Sequence, residues 1–179
     1  MEIRQITGEN AQDLNLKNEQ FQMPGRFIPA LQDGVWSFRT ELFDQPQSMV
    51  FPDENYDFTQ VSQNGVIFGA YEGDQCIGIA IYEDYWLKYM YLCDLKVSAA
   101  YRGSGVGKTL VRAGLEAAKA RGYRGLYTIA QDNNLNACMF YLAAGFAIGG
   151  FDNRVYDGTS QAGKADIIFY LDAEGENTQ

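Results

Sequence analysis

The feature that most constrains this chain is a glycine-rich turn, Arg102-Gly103-Ser104-Gly105-Val106-Gly107, set between a strand and a helix. Before it, Tyr89 to Val97 reads as a strand. After it, Gly105 to Arg121 reads as an amphipathic helix, with Leu110, Val111, Leu115 and Ala118 on one face and basic residues near its end. Glycines let a backbone approach a ligand closely, and the N–H groups of a first helical turn have no partner inside the helix. With Arg102 and Lys108 on either side, the turn suits a pyrophosphate. Two nucleotide patterns fail here. A Walker A loop needs glycine where Arg102 stands, although Gly107-Lys108-Thr109 supplies its end. The dinucleotide pattern needs a third glycine where Lys108 stands.

Strand patterns surround the turn. Met1 to Thr7 alternates as an edge strand, and Gly8-Glu9-Asn10 leads into a helix through Leu16. Val35 to Phe43 alternates apolar with polar residues, whereas Asp44 to Gln60 reads as loop. Val66 to Tyr71 and Gln75 to Tyr82 form a hairpin about Glu72-Gly73-Asp74. Leu126 to Ala130 is a short strand, Asn134 to Ala144 a helix stopped by Gly145, and Phe146 to Phe151 and Asp166 to Leu171 two closing strands. This order predicts a mixed α/β sheet with helices on its faces, in one domain of residues 1–171, followed by a frayed tail over 172–179.

Composition narrows the chemistry. The chain has no histidine, which excludes Ser-His-Asp and Cys-His catalysis and any histidine base or zinc ligand. Cys76, Cys93 and Cys138 lie far apart, so they read as reduced thiols of a cytosolic protein, and no metal is expected. The longest apolar stretch, Cys76 to Tyr82, is far short of the ~20 residues that span a bilayer. A net charge of −9 disfavours nucleic acid and anionic membrane as partners and favours capture of a cationic small molecule, though it also serves solubility. A homodimer stays open.

Two motifs carry a resemblance. Arg102-x-x-Gly105-x-Gly107 is similar to the acyl-CoA signature of the GNAT superfamily of N-acetyltransferases. Asn134-x-x-Ala137-x-x-Phe140-Tyr141-x-x-x-Gly145-Phe146 resembles the helix that follows the fifth strand of that fold. The resemblance covers roughly Val66 to Leu171 and implies a mixed, mostly antiparallel central sheet with helices on both faces. Within the superfamily, Trp36-x-Phe38, Trp86-x-x-Tyr89, Gln131-Asp132-Asn133-Asn134-Leu135 and Ile148-Gly149 through Asp152 to Tyr156 are similar to the streptothricin (nourseothricin) acetyltransferases. That subfamily acetylates an amine of the antibiotic's β-lysine part. It usually carries glutamates at the positions held here by Cys93 and Ile129.

The resemblance implies acetyl-CoA as the acyl donor and a primary amine as the acceptor. Backbone of Leu95, Lys96 and Val97 would align the pantetheine and polarise the thioester carbonyl. Residues Arg102, Gly103, Ser104, Gly105, Val106, Gly107 and Lys108 would hold the pyrophosphate. Tyr141 would protonate the leaving thiolate, a nearly matched transfer between a phenol and a thiol. Asn134 would cap its helix or contact pantetheine. Glu83, Asp84, Trp86, Asp94 and Asp152 are the candidates for holding the acceptor, by charge or by cation–π contact. A different small amine, a polyamine or a protein amine stays open as acceptor. So does a non-catalytic acyl-CoA-binding module, which would need the turn but not Tyr141.

Overall fold

The computed structural model describes residues 1–173. In chain order the elements are β1 (Glu2–Gln5), β2 (Phe21–Gln32), β3 (Val35–Met49), α1 (Phe58–Gln63), β4 (Gly65–Glu72), β5 (Gln75–Glu83), β6 (Tyr89–Val97), α2 (Val106–Ala120), β7 (Gly125–Gln131), α3 (Leu135–Ala143), β8 (Ala147–Asp152) and β9 (Asp166–Asp172). They group into two compact units. Of the described residues, the first holds 1–19, 51–127 and 172–173; the second holds 20–50 and 128–171.

In the first unit β1, β4, β5 and β6 pair antiparallel in that order, and β7 enters parallel to β6. β5 is buried on both faces from Ile77 to Tyr82, and its period of two sorts what each face meets. Ile79 and Ile81 join Ile6, Leu14 and Ile67, with Leu16, Tyr56, Phe58 and Val61 packed around them. Gly78 lies on the opposite face, under Val106 and Leu110 of α2. Helical segments therefore cover both faces here: α1 and the 3-10 segment Gly8–Asn15 on one, α2 on the other.

α2 sits close to the sheet because two glycines allow it. Its buried residues, Val106, Gly107, Leu110, Val111, Gly114 and Ala118, form one stripe at helical spacing. Tyr82 of β5 lies fully buried against that stripe, and its hydroxyl donates to the Leu110 carbonyl at 2.9 Å. A Cβ on Gly114 would fall on the Tyr82 ring.

The second unit holds the rest of β7 beside β9, with β8 antiparallel to β9, and the long hairpin β2–β3. α3 packs on β2 and β8. Phe27 of β2 stacks on Phe38 at 4.6 Å and meets Phe169 of β9 edge-on at 6.2 Å.

The expected elements from β4 onward fall within a few residues of the observed ones; the N-terminal third differs. β2 carries no expectation in the sequence reading, and β3 runs to Met49, through residues expected to be loop. Pro24, Pro29 and Pro46 obscure this hairpin, because proline ordinarily argues against a paired strand. The structure accommodates Pro24 and Pro46 in a register shift, where Met23 pairs with Gln47 but Gly25 with Leu42. The helix expected to run through Leu16 is a kinked 3-10 segment capped by Thr7. At the C-terminus Asp172 ends β9 and Ala173 donates to the Arg124 carbonyl at 2.8 Å; 174–179 lie outside the described residues.

If close approach of α2 depends on Gly114, Gly114→Ala will destabilise the fold by about 1–3 kcal/mol, the usual cost of overpacking. Urea unfolding followed by circular dichroism measures it, and Tyr82→Phe, which leaves the ring in place, should not relieve the loss.

Candidate active site

The glycine-rich turn is held at both ends. Gly103 and Gly105 adopt φ of +79° and +93°, in the region where a side chain is strained, and the space beside each is open to 4 Å. Gly105 is the N-cap of α2 and offers no side-chain cap. The first intrahelical bond runs from Thr109 N–H to Gly105 O at 3.1 Å, so the amides of Val106, Gly107 and Lys108 precede it. A fifteen-residue helix thus begins on amides with no side-chain cap, next to two glycines with open space beside them, which fits an anionic ligand. The Arg102 side chain is engaged elsewhere: Nε donates to the Val97 carbonyl at 3.0 Å, and Nη2 to the Glu19 carbonyl at 3.3 Å. It ties the turn to the end of β6. Ser104 Oγ closes on the Tyr101 carbonyl at 2.6 Å, and Lys108 is exposed on the first helical turn.

β6 presents backbone away from β5. Ser98 N–H donates to Ile77 O at 2.9 Å, and hydrogen-bonded pairs alternate along an antiparallel ladder. Lys96 and Asp94 therefore turn their backbone groups toward β5, while Leu95 and Val97 turn theirs to the opposite side. The parallel pairing of β6 with β7 runs from Tyr89↔Gly125 to Tyr91↔Tyr127, and both residues lie beyond it.

Side chains of β6 gather a charged cluster. Lys96 Nζ contacts the carboxylate of Glu54 and lies 3.3 Å from Asp94, with 9 % of its side chain exposed. The Tyr56 hydroxyl donates to Asp94 at 3.1 Å, and Asn18 donates to Glu54. Burial raises the Asp94 carboxyl above its ordinary value, with Lys96 opposing and Glu54 adding repulsion. Burial works against ionisation of Glu54 too, but its hydrogen bonds from Lys96 and Asn18 hold its carboxyl low. Cys93 falls in the irregularity where the register slips between Ile81↔Asp94 and Tyr82↔Leu92, and its thiol faces Glu83. Burial and the charges of Glu83 and Asp94 push that thiol far up, so it stays protonated at neutral pH.

The expected acceptor residues are thus not all together. Asp94 and Glu83 flank Cys93 on paired strands. Asp84 stands near the C-terminus of α2, where Arg121 holds it at 2.7 Å and Tyr123 donates to it at 3.2 Å. α2 is about 22 Å long at 1.5 Å per residue, so Asp84 lies a helix length from the glycine turn. Trp86 lines an open hollow of about 550 Å³ beside Asp84 and is 82 % exposed. In the second unit, Asp152 Oδ1 accepts from the Arg154 and Val155 amides at 2.9 and 3.0 Å, holding the loop before β9. Tyr141 is buried on α3, with ring centroids 5.4 Å from Phe146 and 5.5 Å from Phe169. Asn134 caps α3, accepting from Ala137 N–H at 3.2 Å. Sequence reasoning missed Glu54 and Tyr56, which lie in a stretch read as loop, and only contact with β6 reveals them.

Residues 30–146 match the model of the Acetyltransferase (GNAT) family. Streptothricin acetyltransferase A of Bacillus subtilis (strain 168) is 34 % identical over 169 residues, covering 94 % of this chain and 98 % of that protein. Streptothricin acetyltransferase of Streptomyces lavendulae is 30 % identical over 129 residues, 68 % of each chain. Among solved structures, a putative streptothricin acetyltransferase of Bacillus anthracis str. Ames in complex with acetyl coenzyme A superposes with a TM-score of 0.83 at 29 % identity, covering 96 % of this chain and 98 % of that one. A nourseothricin acetyltransferase shares the fold, with a TM-score of 0.77 at 24 % identity over 96 % and 97 % of the two chains. The chain belongs to the acetyltransferase (GNAT) family and is an acetyl-CoA-dependent N-acetyltransferase. That excludes the non-catalytic binding module.

The charged cluster makes its own prediction. Lys96→Met will leave two carboxylates without their cation and should destabilise the protein by about 2–4 kcal/mol. The loss sits below the upper end for buried pairs because Glu54 keeps 31 % of its side chain exposed. Chemical unfolding at neutral pH measures it. Restoring neutrality with Lys96→Met plus Glu54→Gln should recover part of it.

Proposed function

We propose that this enzyme acetylates streptothricin on an amine of its β-lysine part, and so confers resistance to that antibiotic. The observation that carries the reading is end-to-end similarity to streptothricin acetyltransferase A of Bacillus subtilis, at 34 % identity. The chain's charge agrees with it: at a net −9 the protein attracts an acceptor that arrives as a polycation.

The residues divide the work as follows. The uncapped amides of Val106, Gly107 and Lys108 hold the pyrophosphate of acetyl-CoA, and Gly103 and Gly105 keep the approach open. Leu95 and Val97 align the pantetheine arm through backbone groups turned away from β5, while Lys96 organises the carboxylates. Asp94 and Glu83 attract the acceptor ammonium. The acceptor ammonium first gives one proton to solvent, and the neutral amine then forms the C–N bond as the C–S bond breaks. A second proton passes from nitrogen to solvent, while Tyr141 gives its hydroxyl proton to the departing sulfur and regains one from solvent.

One observation favours a different amine: Cys93 and Ile129 stand where the resembled subfamily carries glutamates, which removes negative charge from an ammonium site. A thiol-release assay with acetyl-CoA against streptothricin, polyamines, aminoglycosides and acetylatable peptides separates the two. Streptothricin should give the highest kcat/KM; turnover of another amine with none on streptothricin would overturn the substrate. Cys93→Glu should then raise activity on streptothricin if that position decides the acceptor. Tyr141→Phe should lower kcat by roughly 10²-fold while acetyl-CoA affinity stays near wild type, because only the hydroxyl is deleted.

A further inference from the structure

The strand β3 has a free edge that is complementary to itself. Phe27 N–H donates away from β3, to the Asp132 carbonyl at 2.8 Å, so Phe27 and its partner Thr40 exchange no backbone bonds. The register runs unbroken from Gln32↔Val35 to Gly25↔Leu42. With a period of two, Trp36, Phe38, Thr40 and Leu42 all turn their backbone groups to the side opposite β2. Those groups bond to nothing among the described residues, since β2 and β3 form a two-stranded sheet. Every residue from Val35 to Leu42 is exposed except the half-buried Trp36. Bare edges are templates for another strand, and folds usually blunt them with proline, a bulge or lysine. Here Pro46 and the register shift lie beyond Leu42.

The charges on the open half are Arg39 and Glu41, opposite in sign and two residues apart. They meet at 3.2 Å with both side chains exposed, so the pair can exchange partners at little cost. We propose that this edge joins a second copy of the chain, with β3 pairing antiparallel to β3 about a two-fold axis at Thr40. A two-fold pairing sets outward-facing residues against each other, which allows an axis at Phe38, Arg39, Thr40 or Glu41. An axis at Arg39 or Glu41 opposes like charges, and one at Phe38 sets Arg39 against Ser37. Only the axis at Thr40 sets Arg39 against Glu41 of the second copy, twice by symmetry. The same register brings Phe38 opposite Leu42, so apolar side chains exposed in one copy cover each other. The product is a four-stranded sheet, more stable than the lone hairpin of either copy. β3 carries none of the residues assigned to acetyl transfer, so the pairing holds whichever amine is the acceptor.

Sedimentation equilibrium of the full-length protein, from micromolar to millimolar concentration, should show the mass of one chain rising toward that of two. Arg39→Glu opposes like charges at both pairs and should raise the dimer dissociation constant about tenfold or more. Exchanging the charges, with Arg39→Glu and Glu41→Arg together, should return the constant to near its wild-type value. Thr40→Cys should crosslink through a short bifunctional maleimide, because residues facing across the axis have Cα atoms about 5.5 Å apart. Ser37→Cys should not, since its two copies would stand about 20 Å apart along the strands. Wild type gives the background from Cys76, Cys93 and Cys138. A protein that stays monomeric throughout would overturn the proposal. So would a dimer indifferent to Arg39→Glu, or one in which Thr40→Cys crosslinks no better than Ser37→Cys. Should a charge variant fail to fold, the two cysteine variants decide the matter alone.

Discussion

The seating of α2 on β5 is the contact on which the proposed donor half of the site depends. Gly78 and Gly114 remove side chains where strand and helix meet, and the fully buried Tyr82 fills the remaining space and bonds to the Leu110 carbonyl. The helix axis is set by this packing, so the direction of its first-turn amides is set as well. A shift of one residue in either element would move those amides relative to Leu95 and Val97. Arg102 makes the second tie, joining the turn to the last residue of β6 through the Val97 carbonyl. Packing and a backbone-directed guanidinium thus position a helix N-terminus that has no side-chain cap of its own, the proposed anion site.

β6 serves two purposes through alternation. Backbone groups of Leu95 and Val97 face away from β5, whereas Lys96 draws Glu54 and Asp94 into one buried cluster. The cluster brings a loop residue against the strand; Lys96 and Asn18 hold the Glu54 carboxyl low, while burial keeps that of Asp94 above its ordinary value. A strand irregularity at Cys93 breaks the alternation just before this cluster, which places Glu83 beside a thiol instead of a second carboxylate. Had a glutamate stood at residue 93, three acids would share the site and at least one would hold its proton more tightly. The cysteine therefore changes charge as well as shape beside the carboxylates proposed to attract the acceptor.

Much of the proposed donor site was legible because its signals are local. Spaced glycines ending a strand and opening a helix imply uncapped amides in any fold, and Asn134 at the start of an apolar run implies a cap. The charged cluster was not legible. Glu54 and Tyr56 precede α1 in a segment with no periodicity, and they meet Lys96 and Asp94 across about forty residues of chain. The hairpin β2–β3 was hidden for a different reason: two of its three prolines, Pro24 and Pro46, sit in a bulge, which only pairing reveals. Asp84 and Trp86 are legible as candidates from their chemistry and their nearness to β6, but only the fold shows that Arg121 and Tyr123 hold Asp84 near the C-terminus of α2.

The central claim is that acetyl passes from acetyl-CoA to an amine of the β-lysine part of streptothricin. Mass spectrometry of the antibiotic after incubation with enzyme and acetyl-CoA tests it most directly, with fragmentation to locate the change. A single added acetyl group is expected, carried on the β-lysine fragment and absent when enzyme is omitted. Recovery of unmodified streptothricin from a preparation that acetylates another amine would contradict it.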